Sequence, residues 1–80
     1  AQTKLSYKDQ RDYDLLPNRV EELGREIEAA EAALSDPDLY TQNPARFAEL
    51  TKTIDRLRAD RDAAEERWLE LAEMVEQLAG

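Results

Sequence analysis

The residues best equipped for chemistry are cationic and aromatic. Lys4, Tyr7, Lys8 and Arg11 fall within one eight-residue stretch. Spacings of four and three put Lys4, Lys8 and Arg11 on one stripe of a helix that begins early, with Tyr7 beside them. Such cations can contact phosphates and such a ring can stack on a base. The simpler use of the stripe is a solvated face, and Asp9, Asp12 and Asp14 dilute it. A second basic group, Arg46, Lys52, Arg56 and Arg58, is expected to be absorbed largely by helical pairs: Asp55 with Arg58, Arg56 with Asp60, and Arg58 with Asp62.

Other chemistries are excluded by composition. The 80 residues include neither cysteine nor histidine, which removes disulfides, thiolate metal sites, cysteine nucleophiles and imidazole catalysis. Two isolated glycines, Gly24 and Gly80, cannot build a phosphate-binding loop. The carboxylates are spaced along helix surfaces and do not converge. The chain by itself is therefore expected to be no enzyme, with no catalytic residue, metal site or cofactor site. The net charge is −8, from 19 acidic and 11 basic residues. That charge disfavours whole-domain attraction to nucleic acid or an anionic membrane, so any such contact needs a local basic patch.

No apolar run approaches the ~20 residues that cross a bilayer, and Ala1 to Lys4 carry no signal-peptide core. A cytoplasmic, reducing location fits, with no membrane partner. The start at Ala1 suggests a piece of a larger protein.

The elements that must position the basic residues are helices. Apolar residues recur in steps of three and four as Leu16, Val20, Leu23, Ile27, Ala30 and Leu34. They recur again as Phe47, Leu50, Ile54, Leu57, Ala64, Trp68, Leu71, Val75 and Leu78. Two such seams in one chain predict an all-α fold, an antiparallel two-helix coiled-coil hairpin. Residues 1–80 form one domain, expected to be monomeric. Ser6 and Asp9 resemble a capping box that starts a short helix over about 7–16. Pro17 kinks or breaks it, or serves as the first-turn proline of a helix over about 17–34. Residues 35–43 form the tip. There Asp36-Pro37 opens a single helical turn, and Leu39 and Tyr40 cover the end of the seam. Asn43-Pro44 reads as N-cap and first residue of a long helix over 44–78, on the order of 50 Å in length.

Opposing the seams pairs Leu34 with Phe47, Ile27 with Ile54, Leu23 with Leu57, Leu16 with Ala64 and Tyr13 with Trp68. Alanine at 64 makes room where Pro17 disturbs the facing helix. Trp68→Ala is expected to cost roughly 3–5 kcal/mol. Arg61 alone interrupts the second seam. It either lays its stem on the seam and sends its guanidinium to a carboxylate such as Glu21, or acts as a register device.

Several elements are not dictated by a heptad: Lys4-Leu5-Ser6-Tyr7-Lys8-Asp9-Gln10-Arg11, Leu16-Pro17, Asp36-Pro37-Asp38-Leu39-Tyr40, Asn43-Pro44 and Ala64-Glu65-Glu66-Arg67-Trp68-Leu69-Glu70-Leu71. Together they resemble the C-terminal coiled-coil domain of ABC-F ATP-binding-cassette ATPases of the Uup type, over nearly the whole chain. The resemblance implies two cassette ATPase domains outside this chain, where ATP and Mg would bind. It also implies an accessory nucleic-acid-binding role for the hairpin, with DNA as the partner. RNA or ribosome contact is implied as a second option, because ABC-F proteins more broadly act on ribosomes. A rival expectation is a protein-interaction or spacer rod that docks a ribosomal or other protein, or its own ATPase domains.

Overall fold

A computed structural model describes residues 4–79. Its elements are α1 (Tyr7–Leu34), the single turn α2 (Leu39–Gln42) and α3 (Pro44–Ala79). Among the described residues there is no strand. The molecule is a rod with extents of 60 × 17 × 14 Å.

Helix starts follow their caps. The Ser6 hydroxyl accepts from the Asp9 amide at 3.2 Å, while Ser6 itself is extended at φ −62°, ψ 162°. This geometry fixes the start of α1 at Tyr7. The reciprocal arm of a capping box does not form, because the Asp9 carboxylate accepts from Arg67 of α3 at 2.7 Å. At the other end, the Asn43 side-chain oxygen accepts from the Arg46 amide at 3.1 Å, and Pro44 opens α3. Proline suits that position because its missing donor would have no intrahelical partner.

The expected division into helices 7–16 and 17–34 is not observed: α1 is one helix of 28 residues with Pro17 inside it. Proline at 17 deprives the Tyr13 carbonyl of its donor. The helix persists because both flanks are tied to α3, by Asp9 and Tyr13 before the proline and by the Leu23 cluster after it. Tertiary contacts thus offset a local propensity cost of about 3 kcal/mol.

The tip is built from short-range bonds. The Ser35 hydroxyl donates to the Ala32 carbonyl at 2.7 Å, and the Asp36 carboxylate accepts from the Asp38 amide at 3.0 Å. The helical turn begins at Leu39, two residues after Pro37. Leu39 packs on the seam as expected. Tyr40 meets Phe47 edge-on at 5.2 Å yet remains 64% exposed, so it covers little.

α1 and α3 lie side by side in opposite directions, since Asp9 reaches Arg67 while Glu31 reaches Arg58. Every described seam position named above is buried or half-buried. One cluster joins Leu23, Ile27 and Leu57. A second joins Ala30, Leu50 and Ile54, with Leu34 and Leu39 against it. Tyr13 stacks on Trp68 with ring centres 5.8 Å apart and planes 6° from parallel, the pairing that opposing the seams predicts, whereas Ile27 and Ile54, expected to pair, fall in different clusters because Ile27 packs with Leu57 and Ile54 with Ala30.

Candidate nucleic-acid interface

The basic stripe is only partly realised. Because the Ser6 cap delays α1 until Tyr7, Lys4 precedes the helix and the expected continuous stripe reduces to Lys8 and Arg11. Lys4, Lys8 and Arg11 are all exposed, and Tyr7 is 84% exposed. At about 100° per residue, Tyr7, Arg11 and Lys8 span one sector of α1 about 100° wide. That sector points away from Tyr13 and Leu16, which face α3.

The acidic neighbours dilute this sector only in part: Asp14, three residues after Arg11, stays exposed at its edge, whereas Asp9 and Asp12 are engaged by α3. Arg67 of α3 draws two of them inward, with contacts of 2.7 Å to Asp9 and 3.7 Å to Asp12. It also lies 3.8 Å from Glu70. Asp14 accepts from Gln10 at 3.1 Å. Arg11 makes a long 4.0 Å contact to Asp12. Among the described residues, neither Lys4 nor Lys8 has a carboxylate within 4 Å. The start of α1 adds its own partial positive charge beside them. Two or three cations, one exposed ring and a helix start can together hold a short run of phosphates and one base face.

Arg67 was not singled out by sequence reasoning. Its signal lay in the W-containing element: it precedes Trp68, and the register that stacks Trp68 on Tyr13 brings its neighbour to Asp9 and Asp12.

Of the second basic group, Arg46 and Arg56 line one hollow together with Glu26 of α1. None of the expected intrahelical pairs of Asp55, Arg56, Arg58, Asp60 and Asp62 forms within α3. Arg58 instead crosses to Glu31 at 2.9 Å, and Arg46 pairs with Glu49 at 3.5 Å. An interhelical carboxylate at the right height competes successfully, because these side chains are exposed and any one such pair is worth little. Lys52 and Arg56 are exposed.

Arg61 is half-buried on the seam. Its guanidinium does not reach Glu21 but sits 3.7 Å from Asp62, the next residue. The stem lies on the seam and the head leaves sideways along its own helix.

No helix among the described residues is long and apolar enough to cross a membrane. Comparison with known proteins adds the family. Residues 4–73 match the family described as ABC transporter C-terminal domain. The ATP-binding protein Uup of Caulobacter vibrioides is 47% identical over 77 residues, which is 96% of this chain and 13% of that protein. Uup of Haemophilus influenzae is 34% identical over 77 residues, 96% of this chain and 12% of its own length. A Uup-like ATP-binding protein of the same organism is 36% identical over 70 residues, 88% of this chain and 15% of its own. No solved structure matches the chain. The chain thus spans only a small part of the relatives it resembles, and it belongs to the ABC transporter C-terminal domain family, as the C-terminal domain of a Uup-type ABC-F protein.

Proposed function

We propose that this chain is a coiled-coil hairpin through which a larger ATP-binding protein contacts nucleic acid, with DNA as the first partner and RNA or a ribosome as the second. Lys8 and Arg11 hold phosphates, Lys4 assists from the segment before the helix, and Tyr7 stacks on an exposed base. ATP binding and hydrolysis, with Mg, belong to domains outside the chain; the names of the relatives, ATP-binding proteins, support that division. The domain works in the cytoplasm as a monomer, beside those ATPase domains.

The observation that carries this reading is the Arg67 cluster. By holding Asp9 against α3 and sharing Asp12 with Arg11, it leaves Lys4 and Lys8 with no carboxylate within 4 Å among the described residues, despite a net charge of −8. Binding is weak in isolation, because acidic faces elsewhere on the rod repel the same phosphates.

Fluorescence anisotropy with labelled duplex and single-stranded DNA at two salt concentrations tests it. Affinity is expected to fall as salt rises. The double substitution Lys8→Ala, Arg11→Ala is expected to weaken duplex binding and flatten the log–log salt slope by about 1.8. No binding at low salt, or an unchanged slope in the double variant, overturns the proposal.

A further inference from the structure

One surface is used neither by the seam nor by the basic sector. Leu69 is 62% exposed and stands outside the heptad positions that α3 presents to α1. It links two adjoining hollows on one flank of the rod. The first, of about 380 Å³, is lined by Pro17 and Val20 of α1 and by Glu65, Trp68 and Leu69 of α3. The second continues from Tyr13 and Leu69 past Ala72 and Val75, with Glu73 and Glu76 at its edge. The floor of both is apolar. Every charged residue lining either hollow is a glutamate.

We propose that this flank docks a cationic amphipathic helix from a protein partner. From Glu65 to Glu76 the groove runs about 16 Å along α3, the length of a helix of about eleven residues. A third helix laid between two others buries anchors at i, i+3 or i+4, and i+7. Trp68 and Leu69 supply the large apolar contacts that such anchors need. The glutamates at the rim select lysine or arginine beside those anchors. The same charges argue against two other occupants. A second copy would set Glu65, Glu73 and Glu76 against their equivalents at a net charge of −8 per chain, and an anionic lipid surface would be repelled likewise. The groove lies on a different sector of α1 from Tyr7, Lys8 and Arg11, so this inference stands apart from the nucleic-acid proposal.

The 80-residue chain has one tryptophan, Trp68, on the wall of the groove, and its emission reports occupancy directly. The probe is a fourteen-residue helical peptide with leucine on one face and lysine elsewhere; the control is the same peptide with glutamate for lysine. Saturable blue-shifted emission is expected with the lysine peptide and none with the control. Leu69→Glu is expected to weaken binding about tenfold, although the added negative charge would strengthen any merely electrostatic attraction. Leu15→Glu, an equally exposed change on another face, leaves binding unchanged. Circular dichroism of both variants confirms that each remains helical. Wild-type affinity in Leu69→Glu, an equal response to the glutamate peptide, or a Leu69-dependent dimer in sedimentation would each overturn the proposal.

Discussion

The two halves of this rod share one spacing rule but hold together differently. Toward the tip, Leu23, Ile27, Ala30, Leu50, Ile54 and Leu57 are all buried, and every one is aliphatic. Toward the open end Leu5 and Leu71 are buried too, but between them and the tip half the seam passes through Arg61, Ala64 and Trp68, all half-buried, and there the helices are joined by an aromatic stack and by the Arg67 cluster. Aliphatic layers exclude water and name no partner. Mixed layers keep polar atoms near solvent and leave apolar surface uncovered beside them, which is where both functional proposals lie. A heptad therefore sets where helices touch, while side-chain type decides whether the contact closes on itself or remains available.

Substitutions can break this contrast in order of size. Leu23→Ala removes a side chain that is 1% exposed and is expected to cost about 2–5 kcal/mol in chemical denaturation. Trp68→Ala comes next. The tryptophan is only half-buried, so the expectation falls from that of a fully buried ring to about 2–3 kcal/mol, combining partial burial with the loss of the Tyr13 stack. If Trp68→Ala costs clearly more than Leu23→Ala, the aromatic end anchors the rod and the contrast is reversed.

Arg67→Met tests the polar clamp separately from the stack. It is expected to cost about 1–2 kcal/mol, discounted because the arginine side chain remains 37% exposed. A high-salt measurement should shrink that difference, whereas it should not shrink the effect of Leu23→Ala. The smallest change runs the other way. Gly24 lies inside α1, and a Cβ placed there meets nothing within 4 Å. Gly24→Ala is therefore expected to stabilise by about 0.5–1 kcal/mol, read as a higher unfolding temperature. A loss of stability instead would mean that the closely packed tip half cannot accept one methyl group on its flank.

Much of this was legible in the residues. The caps Ser6 and Asn43, the tip between two prolines, and the Tyr13 to Trp68 pairing all follow from local hydrogen-bonding chemistry and from counting along two seams. Pro17 was not legible in the same way. Its local cost is real, but whether a helix breaks there depends on how firmly each side is held, and before the proline that is set by residues 55 to 58 positions away. The pairs expected within α3 do not form for a related reason. Intrahelical partners three or four residues off are always nearby in sequence, yet Arg58 pairs with Glu31 across the interface.

By itself the sequence determined that the chain is helical, where the helices start and turn, which residues face inward, and the family to which it belongs. Those properties rest on interactions a few residues apart or on a period that any observer can count. Only the tertiary structure decided that α1 passes through Pro17 unbroken, that Arg67 takes Asp9 and shares Asp12 with Arg11, and that Leu69 lies in an acidic-rimmed groove. Each depends on which atoms of α3 stand beside which atoms of α1, and at a half-solvated interface competing partners of nearly equal energy are separated only by that geometry.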